Sequence, residues 1–191
     1  MSYPVHPSVK RAFFQVVLAA AVILRCQGTY AQGRSGISYE IVVRGRVLEE
    51  TTGDPIKGAM VMVRRDGHSQ DLIVTRSTGE YELVLERGSQ YDITYTANGH
   101  VAKRVAVSTK GAPPQLDVPA LTMTVDINLF PPIKNFSAAL FEQPLGKAAY
   151  HAKARDIVWD EAYGKEMRNS IRLFMARYDT QLEKQEAVAG R

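Results

Sequence analysis

The sequence predicts an all-β core, a seven-stranded antiparallel β-sandwich, with an extended arm and an amphipathic α-helix appended after it. Three observations predict this. Between Val42 and Val107 apolar and polar residues alternate in short runs, the two-residue period of a strand with one face in a core. Turn signals punctuate those runs at Thr52-Gly-Asp-Pro55, Lys57-Gly-Ala59, Ser77-Thr-Gly79 and Asn98-Gly99, with no helical stretch between them. From Asp160 to about Gln185 the apolar period changes to three or four, which is the stripe of a helix.

The expected strands follow in order across residues 39–130. Tyr39 to Leu48 comes first, with Ile41, Val43 and Val47 on the inner face. Gly53 and Pro55 turn the chain, and Met60 to Arg64 makes the second strand. Arg65-Asp-Gly-His-Ser69 reads as a polar loop, and Leu72 to Arg76 as the third strand. Tyr81 to Leu85 and Tyr91 to Thr96 alternate cleanly, Asn98-Gly99 turns, and Val101 to Val107 returns. Leu121, Met123, Val125, Ile127 and Leu129 hold strict alternate positions in a final strand that reaches Phe130. Pro131-Pro132 ends it, because neither residue donates a ladder hydrogen bond.

Residues 131–155 carry Ile133, Phe136, Leu140, Phe141, Leu145 and Tyr150, apolar groups that need cover. They predict an arm laid along the sandwich, with a short strand at Ala138 to Phe141 on a sheet edge, in preference to a disordered linker. Within residues 156–187 the helix starts at Asp160, a capping residue, with Glu161 and Lys165 ordered as a favourable i, i+4 pair. At ~1.5 Å per residue it is ~39 Å long, against a radius of gyration of ~13 Å for a hundred-residue sandwich, so part of it overhangs.

Ahead of the sandwich, Lys10 and Arg11 precede an apolar run from Ala12 to Leu24, and Thr29-Tyr-Ala31 suits signal-peptidase cleavage before Gln32. Residues 1–31 therefore read as a signal peptide, 32–38 as a flexible tether, and the protein as exported. A retained membrane anchor is the competing reading, although the run falls short of the ~20 apolar residues a span needs. Cys26, the only cysteine, lies in this leader; a lipoprotein signal is disfavoured by Arg25 directly before it. The mature chain then has no thiol and no disulfide. Three of the chain's excess positives, Lys10, Arg11 and Arg25, also sit in this acid-free leader, so a net charge of +4 falls to +1 in the mature part. That balance gives no support for nucleic acid as a partner.

The turn pattern has a family counterpart. Gly45-Arg-Val47, Thr52-Gly-Asp-Pro-Ile-Lys-Gly-Ala-Met-Val-Met-Val63, Ser77-Thr-Gly-Glu-Tyr-Glu-Leu83, Tyr91-Asp-Ile93 and Asn98-Gly-His100 resemble the carboxypeptidase regulatory-like, or transthyretin-like, domain family. The resemblance covers about Val42 to Leu129 and implies a prealbumin-like sandwich that serves as a non-enzymatic module. His100 departs from the aromatic residue expected after that last glycine. The fold also includes enzymes that hydrolyse 5-hydroxyisourate, marked by a C-terminal Tyr-Arg-Gly-Ser; here Val188-Ala-Gly-Arg191 stands instead, so no catalytic residue is carried over. The arm and the Asp160-Glu-Ala-Tyr163 helix also resemble tails of exported proteins of Bacteroidetes-like bacteria.

Chemistry-bearing residues are sparse. His68, His100 and His151 lie in separate segments with no metal-ligand spacing, so no metal or other cofactor is expected. Ser69-His68-Asp66 are neighbours in sequence, whereas a working triad draws on separate elements. No phosphate loop is present. The candidate partner-docking residues are the aromatic and methionine stripe Trp159, Tyr163, Met167, Phe174 and Tyr178, framed by Arg168, Arg172 and Arg177. Packing of the same stripe back on the sandwich or the arm is the preferred reading, and a partner anchor the other. The reading is a non-catalytic structural or protein-interaction module of a Gram-negative periplasm or outer envelope, engaging a protein partner through the helix or a sheet edge. A carbohydrate-binding module, with Tyr81, Tyr91 or Tyr95 as an exposed platform for a glycan, is one alternative. A cryptic hydrolase, with His68 or His100 beside a carboxylate in a cleft, is another.

Overall fold

The computed structural model of the chain describes residues 41–113 and 121–189, with side chains as far as 187. The expected leader, Cys26, the tether and the start of the first strand lie outside the described residues. The described elements are β1 (Ile41–Glu49), β2 (Met60–Arg65), β3 (His68–Val74), β4 (Glu80–Leu85), β5 (Gln90–Thr96), β6 (Lys103–Ser108), β7 (Leu121–Thr124), β8 (Ile127–Leu129), β9 (Gly146–His151), β10 (Asp156–Trp159) and α1 (Glu161–Ala189), with a 3-10 turn at Ala139–Glu142. One sheet runs β4-β1-β7 with β8 also on β1, and the other runs β10-β9-β6-β5-β2-β3. No described helix is long and apolar enough to cross a membrane.

The sandwich forms because alternate residues leave water together. Ile41, Val43 and Val47 from β1, Val61 and Val63 from β2, Leu83 and Leu85 from β4 and Ile93 from β5 meet between the sheets. Each such side chain contributes about 1.5–3 kcal/mol when fully buried. Tyr81 and Tyr95 join the sheets through their hydroxyls, 2.9 Å apart. Tyr81 donates to the Val125 carbonyl at 2.7 Å, so its single proton is used and Tyr95 must donate to Tyr81. Burial raises the pKa of both phenols, most of all that of Tyr95, and keeps them neutral.

The structure departs from the sequence expectations in four places. The run from Leu121 to Phe130 is two strands, both parallel to β1, with Val125 and Asp126 bulging between them. Gly45 makes room for that bulge: an added Cβ would stand 2.0 Å from the Val125 carbonyl oxygen. The bulge is held by Val125 N–H donating to Arg44 O and by Arg46 N–H donating to Asp126 Oδ1. Second, the expected polar loop at 65–69 is a tight hairpin, in which Asp66 and Gly67 both take positive φ, at 47° and 85°, so β3 begins at His68.

Third, Ala138 to Phe141 is not a strand. It coils as the 3-10 turn because Phe141 is drawn down onto Phe130, with ring centroids 5.0 Å apart. The arm joins the sheet later: Leu145 N–H donates to Arg104 O, and β9 then runs parallel to β6. Pairing is therefore mixed rather than purely antiparallel. Fourth, the segment expected to be an arm up to residue 155, followed directly by helix, contains the β9–β10 hairpin before Asp160 caps α1 by accepting from Tyr163 N–H at 2.9 Å.

Candidate functional site

The predicted stripe is split by the fold. Met167 is 4% exposed and Tyr178 wholly buried, so neither presents a surface to a partner. Tyr178 donates to the Pro131 carbonyl at 2.9 Å and sits edge-on to Phe130, with centroids 5.0 Å apart. Phe174 is half-buried, 4.9 Å from Phe141 and 5.1 Å from Phe136. Tyr163 donates to the Pro144 carbonyl, and the Lys147 ammonium lies 4.1 Å from its ring centre. Only Trp159 remains a surface aromatic, 36% exposed. The physical reason is that Pro131-Pro132 turns the arm back beneath the helix, where Phe130, Ile133 and Phe141 supply a second apolar core for the stripe.

Trp159 lines a half-open groove of about 380 Å³ with Asp126, Asp160, Glu161 and Arg168. Its ring lies against Gly146, where a Cβ would come within 2.7 Å of it. Asp160 is committed to capping and Arg168 to Glu161 at 3.7 Å.

A second surface lies at the opposite sheet edge, on residues that the sequence reading passed over. Met60, Met62, Leu72 and Val74 are exposed by 42, 39, 58 and 57%. They face one another across the β2–β3 ladder, Met60 beside Val74 and Met62 beside Leu72. Their inward neighbours Val61 and Val63 are buried. The signal was available: Met60 to Val63 and Leu72 to Val74 are apolar at every position, whereas a strand with one wet face alternates.

The three described histidines lie apart from one another. His68 is exposed at the start of β3, and His151 Nδ1 accepts from Ala154 N–H. His100 does meet a carboxylate: Nε2 is 2.5 Å from Glu49 Oε2, while Nδ1 is 2.8 Å from the Asn98 carbonyl. Both partners accept, so a neutral ring, with one N–H, can satisfy only one of them at a time. Alongside, Lys103 Nζ is 3.2 Å from Glu50 Oε2 and lies over the rings of Phe130 and Phe141. Burial lowers the Lys103 pKa, against the opposing pull of Glu50. Among the described residues no group of three or more His, Cys, Asp or Glu is placed to hold a metal ion.

Tyr81, Tyr91 and Tyr95 are all buried, so none of the three offers the exposed platform that the alternative glycan reading requires. The described residues form a β-sandwich with a C-terminal helix, and its exposed candidate surfaces include the Trp159 groove and the β2–β3 edge. Residues 42–122 match the model of the carboxypeptidase regulatory-like domain family. A search of curated proteins gives no match. Among solved structures, 3-chlorocatechol 1,2-dioxygenase from Rhodococcus opacus 1CP aligns at 12% identity over 52% of this chain and 62% of its own, with a TM-score of 0.37. A putative carbohydrate binding protein from Bacteroides uniformis ATCC 8492 aligns at 21% identity over 48% and 41%, TM-score 0.33. A group B streptococcus pilus 2b backbone protein aligns at 10% identity over 50% and 43%, TM-score 0.35. In each case the alignment spans less than two thirds of the other protein.

Proposed function

We propose that this chain is a non-catalytic, exported interaction module of a bacterial envelope, and that its β3 edge receives an extended segment of a partner protein. The observation that carries the reading is the contiguous exposed patch of Met60 and Met62 on β2 and Leu72 and Val74 on β3, the outermost strand of the six-stranded sheet. Among the described strands β3 pairs only with β2, so its other side offers unpaired N–H and C=O groups. A strand from a partner satisfies those groups and extends the apolar face in one step, with alternate apolar side chains seated beside Leu72 and Val74. A seven-residue edge supplies less than the ~1,200 Å² of a stable free-standing interface, which favours a segment of a larger assembly over a second copy of this chain.

A photoreactive residue at Leu72 in the full chain, crosslinked in intact cells and mapped by mass spectrometry, tests this. An intermolecular adduct to one extended segment, lost in Val74→Lys, is expected. Adducts confined to the chain itself, or unaffected by Val74→Lys, would sink the edge as the binding surface.

A second reading rests on Trp159: its exposed ring, beside carboxylates and a guanidinium, suits a neutral sugar stacked on the indole. Titration with neutral oligosaccharides, followed by tryptophan fluorescence, decides it. Absence of a shift that Trp159→Ala removes would exclude it.

A further inference from the structure

The two ion pairs at the end of the sandwich stand where the arm and α1 dock. Glu49 and Glu50 close β1, His100 belongs to the turn after β5, and Lys103 opens β6. That turn is tied to the aromatic core by Val101 N–H donating to Phe130 O at 2.9 Å, and Glu50 N–H donates to Leu129 O at 2.7 Å. Phe130 in turn touches Phe141, Phe174 and Tyr178. The ionised groups thus lie directly beneath the helix anchor.

The His100 side chain is only 17% exposed and its partner Glu49 20%. The ring is bracketed by two acceptors, the Asn98 carbonyl and the Glu49 carboxylate, and a neutral imidazole has one N–H for two of them. The other carboxylate oxygen, Glu49 Oε1, is buried without a hydrogen-bond partner, so His100 is the group that neutralises this charge. We propose that protonation of His100 latches the C-terminal arm and helix onto the sandwich, and that loss of this proton leaves Glu49 uncompensated beneath Tyr178 and loosens them.

The groups that face the pair are few. From the end of β1 and from β6 come Glu50 and Lys103, already paired with each other. From α1 comes Tyr178, whose pKa is raised by burial and then by the charges of Glu49 and Asp179, so it stays neutral through the relevant range. For His100, burial pulls the pKa down, but the Glu49 hydrogen bond, the Asn98 carbonyl and the Glu49 charge together raise it above 6.5. A group raised on folding contributes stability that is fully present below the unfolded value and fades as pH rises through the folded one, so the latch weakens above 6.5. Lys103 runs the other way: its depressed pKa disfavours docking while it is charged, and that penalty lifts only as pH rises through the folded value toward 10.5.

Hydrogen exchange of the α1 amides in the full chain, corrected for intrinsic rates between about pH 5.5 and 9, tests the latch. The opening equilibrium of α1 is expected to rise roughly three- to tenfold across that range. In His100→Gln, whose amide donates to Glu49 at every pH, the rise disappears. The same pH response in His100→Gln, or no response in the wild type, overturns the proposal. Should the variant fail to fold, nitrogen shifts of the His100 ring in the wild type still decide: a doubly protonated ring at neutral pH supports the latch, and a neutral tautomer overturns it.

Discussion

Inside the sandwich burial is distributed over strands of both sheets, as small branched residues set every second position apart. At the C-terminal end it is concentrated in a few large rings: Phe130, Phe136, Phe141, Phe174 and Tyr178 within about one helix turn of each other in space. The first kind of core is written by period and forgives single losses. The second depends on a few shared rings, since Phe174 touches all four of the others and Phe130 three of them. The difference also explains the docking stripe. A helix whose aromatic face finds a ready-made set of rings in its own chain has no need of a partner to cover it.

The largest effect on this contrast is expected from Gly45→Ala. Its Cβ collides with backbone at 2.0 Å, which no side-chain rotation relieves, and a loss of ~4 kcal/mol or more is expected as a lowered denaturation midpoint. Phe130→Ala comes next, at ~3–5 kcal/mol, because the ring is 1% exposed and central. Here the measurement sharpens the comparison: far-UV circular dichroism should lose helical signal at a lower temperature than the β signal. A single coincident transition would make the two cores one cooperative unit. Tyr81→Phe is expected to cost more than Tyr95→Phe, ~2 against ~1 kcal/mol, since the first orphans both the Val125 carbonyl and the Tyr95 hydroxyl, whereas the second removes only a donor. Equal losses in chemical denaturation would reverse the assigned proton order. Smallest of all, Leu72→Thr should change stability by under ~0.5 kcal/mol, as an exposed strand position with a β-branched replacement.

Much of the sandwich was legible because its information is local. Tyr81, Leu83 and Leu85 announce their strand and its inner face, and all three are buried as their alternation demands. The parallel pairings were not legible, because nothing in Leu121 to Leu129 records that its partner is β1 some eighty residues earlier. Strict alternation through Val125 even concealed the bulge, which depends on Gly45 in another strand. The helical period located α1 but was silent on which way its stripe turns; that follows from Pro131-Pro132 folding the arm beneath it. His100 and Glu49 are 51 positions apart, and neither carries a local mark of the other.

Lys103 gives the aromatic core a chemical reporter. With its side chain 6% exposed and its ammonium near 5 Å from two phenyl rings, it is shut away from acylating reagents while the arm is seated. Lys165 and Lys184, on the open side of α1, are not. The yield of modified Lys103 relative to those two, followed over time by peptide mapping, would therefore count how often the C-terminal segment lifts away.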